Sequence, residues 1–98
     1  MNIEKLIEKL EKLLSENKEK EALELVKKEA KGKEDEVAYF LGHFGDKFLK
    51  NGRYAIALIH FDFARKIAVN EELKKLATEN NATAYNNLGI LLKDLKRH

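Results

Sequence analysis

The chain has 98 residues, enough for one compact domain, and 44% of them are apolar, an ordinary share for a globular protein. It contains no Cys, which excludes disulfides, a Cys-based zinc site and thiol chemistry, and it contains no Pro and only five Gly, which disfavours a turn-rich sandwich and suits helices. With 19 basic and 17 acidic residues the net charge is +2, too even for a dedicated nucleic-acid binder, and no apolar run is long enough to span a bilayer.

The charge is mildly uneven. Residues 1–36 carry nine Lys against eleven acidic groups, a net −2, and residues 37–98 carry the compensating +4. The expected reading is a solvated surface of scattered ion pairs. Residues Met1 to Leu14 alternate apolar and charged types, unlike a signal peptide, and zero Cys fits a cytoplasmic protein. In that setting the Asn81-Ala82-Thr83 sequon is a chance match.

Ile3, Leu6, Ile7, Leu10, Leu13 and Leu14 recur at three- and four-residue steps, with Glu and Lys between them. This predicts an amphipathic helix with one buried stripe, ending near Ser15–Lys18. A second helix is expected over Glu19–Ala30, with Ala22, Leu23, Leu25 and Val26 on its apolar side and Gly32 closing it. The short gap between the two implies an antiparallel hairpin. A third helix starts at Glu34–Glu36, where acidic side chains suit the dipole, and runs to Lys50. Its apolar set is Val37, Phe40, Leu41, Phe44, Phe48 and Leu49, and Asn51-Gly52 reads as its C-cap and turn.

A fourth helix begins at Arg53 or Tyr54, with Ala57, Leu58, Phe61, Ala64, Ile67 and Ala68 facing the core. At Val69-Asn70 two readings compete. Asn70 could cap a new short helix carrying Leu73, Leu76 and Ala77, or one long helix could continue to about Thr78. The long helix is the expectation, because no glycine intervenes. Asn80 and Asn81 then mark a turn, and a last helix over about Ala82–Lys96 buries Tyr85, Leu88, Leu91, Leu92 and Leu95.

Leu41-x-x-Phe44-Gly45-x-x-Phe48 parallels Tyr85-x-x-Leu88-Gly89-x-x-Leu92, and the first copy is followed by Ala57-x-x-x-Phe61-x-x-Ala64. This pattern resembles the tetratricopeptide repeat, in which small residues let paired helices approach closely and large ones fill the space beside them. The likeness is good over residues 35–68 and weak over residues 2–30. It departs from the family in three places: Val69 stands where a proline is usual, Leu41 where a tryptophan is usual, and the two glycines lie 44 residues apart against about 34 for the repeat. The expectation is an all-α single domain, 1–98, of about five helices in antiparallel hairpins stacked as a short right-handed superhelix. Residues 2–31 would form a degenerate first pair, 35–79 the best-matching pair with an extended second helix, and 82–97 a terminal helix.

The resemblance implies a protein–protein interaction module or adaptor whose concave groove takes a peptide or helix of a partner. Carried over position by position, the groove would present Tyr39, His43, Asp46 and Lys50 from the third helix, beside Gly42 and Leu49, and Asn86, Asn87, Ile90 and Lys93 from the last, beside Thr83 and Asp94. Glu4, Ile7, Glu8 and Glu11 would join them from the first helix. Asparagine amides can both donate to and accept from a peptide backbone, and Tyr39 offers a flat amphipathic surface. Family members that clamp a C-terminal carboxylate use Lys, Asn and Arg. The matching positions here are Ile7, Glu11, His43, Thr83 and Asn87, and only Asn87 is of that type.

The alternative is a self-associating scaffold, a homodimer paired through the near-heptads Ile3/Leu6 and Leu10/Leu13 of the first helix or through the last helix. No nucleic acid, membrane, cofactor or metal is expected, and no catalytic constellation is present to suggest an enzyme. Gly42-His43-Phe44-Gly45 sits inside a helix and cannot cradle a phosphate. His43 and His60 each lie near an aspartate without a third ligand, and His60 is expected to be half-buried or exposed.

Overall fold

The computed structural model describes the backbone of residues 2–96 and the side chains of residues 2–84 and 86. Among these residues the chain forms five α-helices: α1 (Ile3–Ser15), α2 (Glu19–Ala30), α3 (Glu34–Lys50), α4 (Tyr54–Ile67) and α5 (Glu71–Lys96). Each of the four connections is three residues long.

Local chemistry explains where each helix starts and stops. Asn2 caps α1, its Oδ1 accepting from the backbone N–H groups of Glu4 (3.0 Å) and Lys5 (3.3 Å). The ends of α1 and α3 share one motif. Lys18 N–H donates to Leu13 C=O (2.8 Å) and Asn17 N–H to Leu14 C=O (3.1 Å); Arg53 and Gly52 make the equivalent bonds to Phe48 (2.9 Å) and Leu49 (3.1 Å). Both are Schellman closures, which require a left-handed residue, supplied by Asn17 (φ 59°) and Gly52 (φ 76°). The Asn51-Gly52 signal thus marks a helix end, as its helical flanks imply. Between α2 and α3, Lys31 (φ −55°, ψ 120°) and Gly32 (φ 84°) form a type II turn closed by Lys33 N–H to Ala30 C=O at 2.8 Å.

The expected long fourth helix does not form. The helix stops at Ile67, Ala68 turns extended (φ −62°, ψ 136°), and Asn70 caps α5 by accepting from Glu72 (2.9 Å) and Leu73 (3.2 Å) N–H groups. A second anchor comes from far along the chain. Asp35 Oδ1, in the first turn of α3, accepts from the N–H groups of Val69 (2.7 Å) and Asn70 (3.0 Å). These two bonds satisfy amides that a break in the helix would otherwise leave open.

The expected turn at Asn80-Asn81 is also absent, since α5 runs unbroken through both. Asn81 ties helices together: its Nδ2 donates to the carbonyl of Leu58 on α4 at 3.0 Å. Thr78 and Thr83 turn their hydroxyls back onto the carbonyls of Lys74 and Glu79 within the helix. The second glycine copy therefore sits deep in α5, at its nineteenth residue, whereas Gly45 is the twelfth of α3.

Pairings along the helices show their directions. Asp35 meets Val69, Gly45 meets Phe61 and Phe48 meets His60, so α3 and α4 run antiparallel. Asn81 meets Leu58, and Ala77 shares a groove with Ala64, so α4 and α5 are also antiparallel. α4 is the central helix. It packs along α3 and α5, and α2 reaches it as well. It buries Ala57, His60, Phe61, Phe63, Ala64 and Ile67, and its sequence is apolar on nearly every side, as an enclosed helix requires. The hairpin of α1 and α2 seats on this body through Leu6, Ile7, Leu10, Ala22, Val26 and Ala30.

The tightest approach lies between α3 and α4. A β-carbon built on Gly45 would stand 2.7 Å from Cε1 and 2.9 Å from Cδ1 of the fully buried Phe61 ring. The sequence pattern pairs Gly45 with Ala57 as the two small residues of the contact. Ala57 is buried, and the space at Gly45 is filled by the Phe61 ring, one of the large residues the pattern sets beside the contact.

Gly45→Ala forces an enclosed ring to move and is expected to destabilise by about 1–3 kcal/mol, whereas Gly42→Ala, whose β-carbon meets nothing within 4 Å, is expected to stabilise by about 0.5–1 kcal/mol from helix propensity; urea unfolding of both variants measures the contrast. The N–H groups of Asn70 and then Val69 hold the Asp35 carboxyl below the ordinary aspartate range. Its contribution is therefore complete above about pH 3.9 and is lost as pH falls through its lowered value. Asp35→Ala should remove that portion of the acid dependence of thermal unfolding.

Candidate functional site

A mostly apolar groove of ≈ 210 Å³ lies between α3 and α5, floored by α4. α3 supplies Ala38, Tyr39, Gly42, His43 and Asp46, α4 supplies Ala64, and α5 supplies Leu73, Leu76, Ala77 and Asn80. The floor is made of small residues, because Ala38, Ala64 and Ala77 are buried and Gly42 has open space where a side chain would stand. Two large apolar side chains flank it on opposite walls, Tyr39 at 61% exposure and Leu76 at 53%.

Of the predicted groove residues, Tyr39, His43 and Asp46 come together here, with Gly42. Lys50 lies one turn beyond, exposed, and its Nζ pairs with Asp46 at 3.0 Å. On α5 the described residues that line this groove are not among those expected. Because this helix starts at Glu71, the segment opposite Tyr39 and His43 is 73–80, and Asn86 is exposed further along it. Asn87, Ile90 and Lys93 lie in α5, but their side chains fall outside the described ones. Leu73, Leu76 and Asn80, which line the groove, are not among the residues the sequence pattern points to. The signal that finds them is Asn70-Glu71-Glu72, an N-cap followed by acidic residues in a first turn.

Glu4, Ile7, Glu8 and Glu11 line a different groove, of ≈ 310 Å³, with Phe44, Lys47, Phe48 and Asn51 on the other flank of α3. The predicted single surface is thus two grooves divided by α3. The second is bridged at one end by Arg53 and Glu11, 3.4 Å apart, and Arg53 also stacks 4.8 Å above the Phe48 ring. Lys47 lies 5.3 Å from the Phe44 ring centroid.

His60 is fully buried on α4, against the expectation of a half-buried or exposed side chain. Its neighbours explain this: α4 is covered on several sides, so a position that would face solvent on a peripheral helix is enclosed. Its Nδ1 donates to the carbonyl of Ile56 at 2.8 Å, and its ring lies 4.9 Å from that of Phe48. Burial holds its pKa below the ordinary histidine value. Among the described residues no group of three or more His, Cys, Asp or Glu is gathered to hold a metal ion, and no helix is long and apolar enough to cross a membrane.

No family model, curated protein or solved structure matches this chain.

Tyr39 and Leu76 are rim residues with little to lose on unfolding. Tyr39→Ala and Leu76→Ala should each change unfolding free energy by no more than about 0.5 kcal/mol, checked by urea unfolding followed by circular dichroism, which separates the groove from the core.

Proposed function

We propose that this chain is a tetratricopeptide-like binding module that holds a helix or peptide of a partner protein in the groove between α3 and α5. The observation that carries the reading is the pair Tyr39 and Leu76. They are two of the three large apolar side chains exposed among the described residues, and they stand on opposite walls of one small-floored groove. Large exposed apolar groups on the sides of a concave surface are what a partner's side chain covers. His43, Asp46 and Asn80 add polar groups that can fix a ligand's direction.

Two features support the repeat-like reading. Odd-numbered helices start at residues 3, 34 and 71, intervals of 31 and 37 around the ~34 of that repeat. Small residues also floor the contacts between neighbouring helices at Gly45, Ala57, Ala64 and Ala77. Self-association through α1 is disfavoured by what α1 already does: Leu6 and Leu10, half of its near-heptad seam, are buried inside this chain.

The test uses peptides selected by display against the intact chain. Binding should fall at least about tenfold, ~1.4 kcal/mol, in the Tyr39→Ala/Leu76→Ala double variant and in Gly42→Leu, which fills the floor, with helicity unchanged. Amide shift changes on titration should centre on α3 and residues 73–80 of α5. Peptides that bind the double variant undiminished, or shifts that centre on α1 and α2, would reject the groove.

A further inference from the structure

We propose that His60 is an acid-operated latch, holding the α1–α2 hairpin on α3 and α4 while neutral and releasing it on protonation. Among the described residues His60 is the one polar side chain in the buried set, with 0% exposure. Its Nδ1–H donates to Ile56 C=O at 2.8 Å, so in the neutral ring Nε2 carries the lone pair. That Nε2 is buried and has no hydrogen-bond partner. A bare acceptor in this position is tolerable, but a charged donor is not.

The ring sits beside an ion pair that joins α1 to the α3–α4 connection, at the edge of the apolar seat of the hairpin. Phe48 of α3 lies 4.9 Å from it, Arg53 stacks 4.8 Å over Phe48, and Arg53 grips Glu11 of α1 at 3.4 Å. Glu11 and Arg53 are the charged groups that act on the imidazole. The remaining elements packed on α4 present uncharged residues to the core: Ala22, Val26 and Ala30 from α2, Phe48 from α3, and Ala77, Asn81 and Ala84 from α5.

A proton on Nε2 creates a cation whose available counter-charge is Glu11, already engaged by Arg53. Either Glu11 leaves Arg53 for His60 or the site opens to water. The first breaks the Glu11–Arg53 pair and the second parts the packing around Phe48, so each loosens the seam between α1 and the body. The direction of titration agrees. Burial, the largest influence, favours the neutral ring, so stability is complete above the unfolded value of about 6.5 and is lost as pH falls through the lower folded value.

Nitrogen-15 NMR of the intact wild-type chain between pH 7.5 and 5 tests this, in a window above most carboxylate titrations. The expected result is an Nδ1–H tautomer at neutral pH, a His60 midpoint below 6.5, and amide-exchange protection in α1 and α2 falling with that same midpoint while α4 keeps its protection. In His60→Leu, or His60→Gln should the first not fold, the pH-linked loss in α1 and α2 should vanish, and the ratio of wild-type to variant unfolding constants should change by up to about tenfold per pH unit across the titration. A midpoint at or above 6.5, hairpin protection that ignores the His60 titration, equal loss in every helix, or a transition that survives both substitutions would overturn the latch.

Discussion

The ring of Phe61 occupies the place a β-carbon on residue 45 would need, and that contact sets how close α3 and α4 can come. With any larger residue at position 45 the two helices would separate and the ring would lose its enclosure. The spacing matters beyond this pair because α4 is the floor on which α3, α5 and the α1–α2 hairpin all rest. The groove between α3 and α5 is as narrow as α4 allows, and its small floor at Ala38, Gly42, Ala64 and Ala77 gives it depth. A similar logic of small residues under large ones runs through the whole core, where Ala22, Ala30, Ala57, Ala64, Ala77 and Ala84 are buried beside Leu10, Leu41, Phe61 and Phe63.

Much of this was legible in the residues themselves. The first three helices and the start of the fourth follow from three- and four-residue periodicity and from Gly32 and Asn51-Gly52, because those signals act within one helical turn. The break at Ala68 was harder. Asn70 as a cap is a local cue, but an asparagine alone does not decide between a helix interior and a new start. Asp35, 34 residues away, tips the balance by bonding Val69 N–H, and no local window contains that partner. Asn80-Asn81 misled for the converse reason: Asn81 finds an acceptor on α4, so a residue type usual in turns is held inside a helix.

The candidate site inherited both outcomes. Tyr39, His43 and Asp46 fall together because their three- and four-residue spacing puts them on one face of α3, whose two ends are both marked locally. Residues 73–80 of α5 line the groove opposite them because the helix begins at Glu71, earlier than the sequence suggests. The burial of His60 could not be read from its own helix face, since it depends on how many neighbours α4 has. The apolar residues Phe61 and Phe63 on either side of an intervening Asp62 were the available hint that α4 is enclosed on more than one side.

Every connection in the chain is three residues long, and neighbouring helices in sequence are neighbours in space. Closing such loops costs little entropy, since the cost grows with the logarithm of loop length. Most native pairings can therefore form before distant parts of the chain meet, the topology associated with folding in microseconds to milliseconds. The staple from Asp35 to Val69 and Asn70 joins residues far apart in sequence, and by the same reasoning it closes after the α3–α4 hairpin has zipped.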